Sequence, residues 1–102
     1  MDSVAERALR YWDGSFPWGS PEVLVSLRES ASSVDRAAAA EIERVMERLY
    51  EWLEKSSPVD WKSPFVGDDV GHLLVAEFPW CTGEVRDRVW QWLTWIAWHE
   101  GY

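Results

Sequence analysis

The residues of this chain that could perform acid–base or nucleophilic chemistry gather between positions 68 and 81. Cys81 and His72 lie near a predicted chain corner and Asp68 and Asp69 precede them, so a Cys–His–Asp arrangement is conceivable. A lone cysteine is more often a small core residue, however, and Cys81 directly follows the bulky Trp80. We therefore predict no catalytic residues and expect that the protein is not an enzyme.

Metal-ligating spacing is equally incomplete. Asp68 and His72 are four residues apart and would share a helix face, but a metal site needs three or four ligands and the other histidine, His99, is isolated. Glu22 and Glu84 each fall in the first turn of a predicted helix, where acids are ordinary helix electrostatics. The chain also lacks a phosphate-binding glycine loop, G-x-S-x-G and C-x-x-C. We predict neither a metal nor a cofactor.

The segment "VWQWLTWIAWHEGY" at positions 89–102 is the most unusual part of the chain. At 100° per residue one side of this helix is an apolar stripe, whereas three tryptophans point elsewhere. The stripe consists of Val85, Val89, Trp92, Leu93 and Ile96, and the other tryptophans are Trp90, Trp95 and Trp98. Two interpretations stay open: the preceding loop covers these rings, or they form an exposed patch for a partner or a second subunit.

Composition bounds the class of protein. The chain has 102 residues, one cysteine and nine tryptophans, which is typical of one folded domain without an internal disulfide. No apolar run reaches the length of a membrane span, and the start "MDSVAERALRYW" lacks the apolar region of a signal peptide. We expect a cytoplasmic protein.

The charge balance points to a kind of partner. Asp and Glu number 18 against 10 Lys and Arg, which gives a net charge of −8. Such a surface repels nucleic acid and anionic membranes and attracts basic proteins, although ordinary solubility is an alternative explanation. The acids that we select as candidates for steering a basic partner are Glu47, Glu51 and Glu54, on the polar face of the longest predicted helix.

Helical periodicity and breakers predict an all-α domain over residues 1–102, an irregular bundle of about five helices. The expected helices cover residues 4–12, 20–31, 34–55, 68–77 and 83–100. The inward seam of the third helix is Ala38, Ile42, Val45, Leu49 and Trp52. We expect a long loop over residues 56–67 that Trp61 and Phe65 pin to the core, and a cap from Asp68 or Asp69 on the helix that follows it.

One eight-residue motif, the repeated phrase, occurs twice in the chain, as "FPWGSPEV" from Phe16 to Val23 and as "FPWCTGEV" from Phe78 to Val85. Each copy predicts a corner between helices, because proline ends one element and Ser20 or Thr82 can cap the next. We expect both caps to accept helix N–H groups, and Trp18 and Trp80 to be largely buried. Since the flanking residues do not match, we favour two independent origins of the same corner sequence and disfavour an ancient duplication.

These observations predict a small acidic module that binds a basic protein. The most specific hypothesis is an inhibitor or immunity-type protein that neutralises an effector such as a toxin, with Trp90, Trp95 and Trp98 as anchors. One alternative is an accessory or scaffold subunit that docks its tryptophan-rich helix on a partner or on itself as a homodimer. Another is a small-molecule binder or enzyme with an aromatic pocket between the last helix and the segment 56–82.

Overall fold

The structure, a computed structural model, describes residues 3–13 and 18–102. These residues form five helices and no strand, so the predicted all-α class is confirmed. The helices are α1 (Ser3–Tyr11), α2 (Pro21–Arg28), α3 (Ser33–Ser56), α4 (Phe65–Glu77) and α5 (Gly83–Glu100).

The long helix α3 is the element on which the bundle is assembled. At about 1.5 Å per residue its 24 residues span roughly 36 Å, close to the longest dimension of the molecule, 42 Å. Both α1 and α2 pack against it, α5 packs against α1, and α4 lies against α5. The seam that periodicity predicts is buried, with Trp52 half-buried at its edge; Leu53, which periodicity also places beside the seam, is buried, and Ala39 is an addition.

The apolar stripe of α5 also faces the core as predicted, and aromatic rings join three helices there. The ring of Trp92 lies 6.3 Å from that of Trp12 and 5.9 Å from that of Tyr50, both edge-on. Arg88 reinforces the junction, because its guanidinium donates to the carbonyls of Leu9 and Trp12 at 3.1 and 3.2 Å. These bonds satisfy carbonyl groups at the end of α1, which its own helix leaves without partners.

The predicted long loop is shorter than expected, and only one of its two aromatic residues is pinned. Trp61 packs between the rings of Trp52 and Trp90, at 6.2 and 6.0 Å, and its indole N–H donates to the carbonyl of Tyr102 at 3.1 Å. Phe65 begins α4 and is 70% exposed, so its predicted role as a second anchor is wrong.

The early start of α4 also corrects the predicted cap. Pro64 occupies the position before the helix, where its fixed φ and missing N–H are tolerated. The helix therefore begins at Phe65, and Asp68 lies in its first turn instead of capping it. An acid there still interacts favourably with the positive end of the helix.

The two repeated corners begin helices at the predicted residues but without the predicted cap bonds. Ser20 and Thr82 occupy the N-cap positions of α2 and α5 in extended backbone, yet neither side chain accepts a helix N–H. In the second corner Gly83 has a φ of +58°, which turns the chain between Thr82 and the regular part of α5. Ser32 makes such a bond at the start of α3, accepting from the N–H of Asp35 at 3.4 Å.

The same position of the repeated phrase is buried in both corners, and it is the position that follows the tryptophan. Gly19 and Cys81 hold equivalent positions of the phrase and both are buried. Gly19 has a φ of +87°, and a Cβ there would lie 2.7 Å from the ring of Tyr11. Because the backbone of Gly19 takes this space, Trp18 lies outside and is 46% exposed, so its predicted burial is wrong. Phe16 and Pro17 of this copy lie outside the described residues.

The second corner does act as an apolar plug. Phe78 is 1% exposed and its ring lies 6.1 Å from that of the half-buried Trp80, in an edge-on arrangement. Arg44 of α3 covers the outer side, with its guanidinium carbon 5.2 Å from the centre of the Phe78 ring. The corner therefore seals the end of α4 against α3.

We predict that Gly19→Ala destabilises the fold. The substitution combines a left-handed backbone with a Cβ that meets a packed ring, which should cost about 2 kcal/mol or more. Gly71→Ala is the matched control, because a Cβ in α4 at that position meets nothing within 4 Å. Alanine has the higher helix propensity, so the control should gain up to about 1 kcal/mol. Urea unfolding of both variants checks this, and a neutral Gly19→Ala would contradict it.

We also predict an acid-sensitive link between α1 and α3. The carboxylate of Asp35 accepts from the Ser30 hydroxyl at 2.7 Å and pairs with Arg7, and these contacts lower its pKa from 3.8. Because the pKa of Asp35 is lower in the folded protein than in the unfolded chain, the carboxylate stabilises the fold at a pH above its ordinary pKa. This stabilisation is lost as the pH falls through the lowered pKa. Asp35→Asn should therefore lower the urea midpoint at neutral pH but have less effect well below pH 3.8.

The control for this prediction is Glu54→Gln, since Glu54 is exposed and forms no ion pair with the described residues. It should change little at either pH. An equal loss for Asp35→Asn at both pH values would show that the carboxylate charge plays no part in the link.

Candidate functional site

Four rings form a continuous surface cluster, which we call the aromatic patch: Trp95, Trp98 and His99 on the last turns of α5, and Trp18 from the segment between α1 and α2. The Trp18 and Trp95 rings are 5.6 Å apart, Trp95 and His99 are 3.8 Å apart and tilted by only 30°, and His99 meets Trp98 edge-on at 4.9 Å. Trp98 is 79% exposed, the largest exposure among the large apolar side chains that are found on the surface.

Helical geometry explains why these rings share one side of α5. Trp95 and His99 are four residues apart, so they stack one above the other. Asp87, Gln91 and Trp98 follow spacings of four and seven residues and therefore lie along one line, and all three are exposed. Leu93 faces the core on the other side, whereas Trp92, seven residues before His99, lies at the border between the core and the patch.

The structure separates the three tryptophans that the sequence proposes as anchors. Trp98 is exposed and Trp95 is half-buried, and both belong to the aromatic patch. Trp90 is half-buried against the core and its ring is covered by Trp61. The loop therefore covers one ring while two others reach the surface, and the binding of a partner by these two rings stays a prediction.

The patch contains two residues that sequence reasoning missed. His99 carries a signal in the sequence, because it follows Trp95 by four residues and must share its face. Trp18 carries none, because its exposure depends on the close packing of Gly19 against Tyr11. Trp18 joins the patch only because the chain after α1 passes beside α5.

The three candidate steering acids lie on α3, away from α5 in the sequence, and differ in their pairing. Glu51 accepts a bond from Lys55 at 2.7 Å, and this bond and the positive charges of Lys55 and Arg48 lower its pKa. Glu47 and Glu54 are exposed and have no ion-pair partner among residues 3–13 and 18–102. They contribute their full charge to the surface, whereas that of Glu51 is largely neutralised.

A second concave feature lies between α4 and α5. This cleft has a volume of about 330 Å³, and Trp90 forms part of its wall. Gly67 and Gly71 leave the α4 side open, because neither has a side chain to fill the space. Asp68 and His72, the pair whose spacing is too incomplete to predict a metal site, also line this groove between helices.

The chemistry that Cys81 could perform is limited by its burial. The side chain is fully buried, and loss of solvation raises the pKa of the thiol to about 12, against a small opposing effect of Arg86. The thiolate that a nucleophile requires is therefore disfavoured. Among the described residues, no three His, Cys, Asp or Glu side chains come together in a way that could hold a metal ion.

Comparisons of the chain with protein-family models, with curated protein sequences and with solved structures find no match. None of the five helices in the described part of the chain has both the length and the hydropathy that a bilayer span requires. The geometry of the aromatic patch and of the cleft is thus the basis on which a function can be inferred.

We predict that the patch contributes little to folding. Trp98→Ala should change the free energy of unfolding by no more than about 0.5 kcal/mol, because the ring is already in water. Trp92→Ala, which removes a ring that is 2% exposed, should cost about 3–5 kcal/mol. Thermal and urea unfolding of both variants checks this. Equal losses would show that Trp98 is a core residue.

Proposed function

We propose that this protein is an acidic protein-binding module whose docking surface is the aromatic patch. The observation that carries the proposal is the exposure of Trp98, 79%, at the end of a continuous run of ring contacts. Large exposed apolar patches are rare on monomers, and tryptophan is enriched among the residues that dominate binding energy. The most specific form is an inhibitor or immunity-type protein that neutralises a basic effector such as a toxin.

The packing of the patch supports this role. Trp95 is held between Trp18 and His99, so little side-chain freedom remains to be lost on binding. Trp98 is the more open ring and would enter a pocket of the partner. Aromatic residues are enriched in protein interfaces, and tryptophan is enriched among the residues that dominate binding energy.

The charge supports a basic partner. A net charge of −8 raises the rate of encounter with a positive surface, and it repels nucleic acid and anionic membranes. Glu47 and Glu54 are the better candidates for steering, because Glu51 is paired with Lys55. The single cysteine, which cannot form an internal disulfide, is the support for a cytoplasmic location.

The accessory-subunit and homodimer hypotheses use the same surface with another occupant. A second copy would bring another charge of −8 to the interface, which opposes association at low ionic strength. We therefore favour a basic heterologous partner over self-association. A partner subunit whose core the patch completes stays the closest alternative.

One observation favours a second candidate function, the binding of a small molecule. The cleft between α4 and α5 has about 330 Å³, within the range of ligand sites, and Trp90 borders it. The cleft lies between the last helix and the segment 56–82, which is where the sequence predicts an aromatic pocket. Binding there should change the fluorescence of Trp90, and a Trp90→Phe variant would lose that change.

The test of the main proposal uses the product of the neighbouring gene as the candidate partner. Trp98→Ala should weaken binding by about 2 kcal/mol, or roughly 30-fold in Kd, by calorimetry. Phe65→Ala is the matched control, because Phe65 is also a highly exposed ring but lies on α4. It should bind like the parent protein. Unchanged binding by both Trp98→Ala and Trp95→Ala would contradict the proposed docking surface.

A second arm tests the charge. Replacing Glu47 and Glu54 by Gln should lower the association rate at low salt and leave the dissociation rate unchanged. The difference should shrink at physiological ionic strength, where exposed charges are screened beyond about 8 Å. An association rate independent of salt would argue for an uncharged partner surface.

A further inference from the structure

We propose that the aromatic patch recognises a cationic side chain of its partner, a lysine ammonium or an arginine guanidinium. This inference rests on the proposed docking function and adds the chemistry of the group that the patch receives. Three features support it: the exposed ring faces, the helix end on which they lie, and the position of Glu100.

The exposed ring face is the first feature. Trp98 is 79% exposed and meets His99 with its ring planes at 74°, an edge-on contact that does not stack a ring on the Trp98 face. The negative face of an indole attracts a cation more strongly than any other aromatic side chain does. At exposed sites this attraction is worth about 0.5–1 kcal/mol.

The helix end is the second feature. Three of the four rings of the patch lie on the last two turns of α5, where the carbonyl dipoles give a partial negative charge. Three other helices place a long basic side chain of their own in the last turn, namely Arg10, Arg28 and Lys55. The last turn of α5 has only His99, which is stacked on Trp95. The place where a lysine or arginine would be favourable is thus left for a partner.

Glu100 is the third feature, through its charge alone: it lies two residues after Trp98 on another side of α5, beside Tyr50, and acts on the patch only through space. A carboxylate in the last turn of a helix is electrostatically unfavourable, because it adds to the negative end of the dipole. The Glu100 carboxylate accepts a hydrogen bond from the Tyr50 hydroxyl at 3.3 Å, and this neutral donor supplies no compensating positive charge. A cation brought by the partner would offset the repulsion. The same carboxylate helps to raise the pKa of Tyr50, after burial, the larger cause.

The experiment measures the binding of blocked single amino acids by ¹H–¹⁵N spectra of the indole N–H groups at constant ionic strength. The probes are acetyl-arginine amide, acetyl-lysine amide, and the neutral acetyl-citrulline amide and acetyl-leucine amide. The arginine and lysine probes should shift the Trp98 and Trp95 signals, and the two neutral probes should shift them much less. The ratio of arginine to lysine affinity separates guanidinium from ammonium recognition.

Variants locate the effect. Trp98→Leu keeps an apolar side chain but removes the ring, so affinity for the cationic probes should fall about two- to fivefold, equivalent to ~0.5–1 kcal/mol. Glu100→Gln should lower it by a smaller factor, because Glu100 lies on another side of α5 and acts only through space. Phe65→Leu, the matched change on α4, should leave it unchanged.

The outcomes also distinguish this inference from the function on which it rests. Equal shifts with citrulline and arginine, or unchanged affinity in Trp98→Leu, would overturn cation recognition. If Trp98→Leu then still bound the protein partner as the parent does, while Trp98→Ala did not, the patch would be an apolar docking surface. If Trp98→Leu and Trp98→Ala both still bound the protein partner, both proposals would be overturned.

Discussion

The limited volume of the core constrains everything else in this protein. Nine tryptophans share a chain of 102 residues, and α3 with its neighbours encloses only two of their rings, Trp12 and Trp92. Five more are half-buried at the edges of the core, and Trp18 and Trp98 are exposed. Since a small domain buries a smaller fraction of its surface than a large one, surplus aromatic area must lie at the surface or pack under loops.

Two solutions to this surplus occur side by side on α5. Near its middle, Trp61 from the loop before α4 covers Trp90. The indole N–H of Trp61 donates to the carbonyl of Tyr102, which fixes the position of this ring. Near its end, the described chain supplies no comparable cover, and the rings stack on one another from Trp18 to Trp98. Ring contacts among its own members therefore order the aromatic patch.

In the proposed interaction, the acidic surface and the patch would have complementary effects on association. Charges such as those of Glu47 and Glu54 act at a distance and raise the rate of encounter, whereas rings act on contact and slow dissociation. The end of α5 combines both, because dipoles, Glu100 and indole faces favour the same sign of charge. A basic partner fits this combination better than a second copy of an acidic chain does.

The sequence by itself determined the all-α class, the core faces of α3 and α5 and the position of Trp95 and Trp98 off the core stripe, because helical periodicity is local. It also indicated where both corners begin a helix. Only the tertiary structure decided what covers an outward ring: Trp61 lies on Trp90, whereas Trp18 reaches Trp95. The backbone of Gly19 against Tyr11 moves Trp18 outside, and such a contact between distant residues leaves no mark in local periodicity.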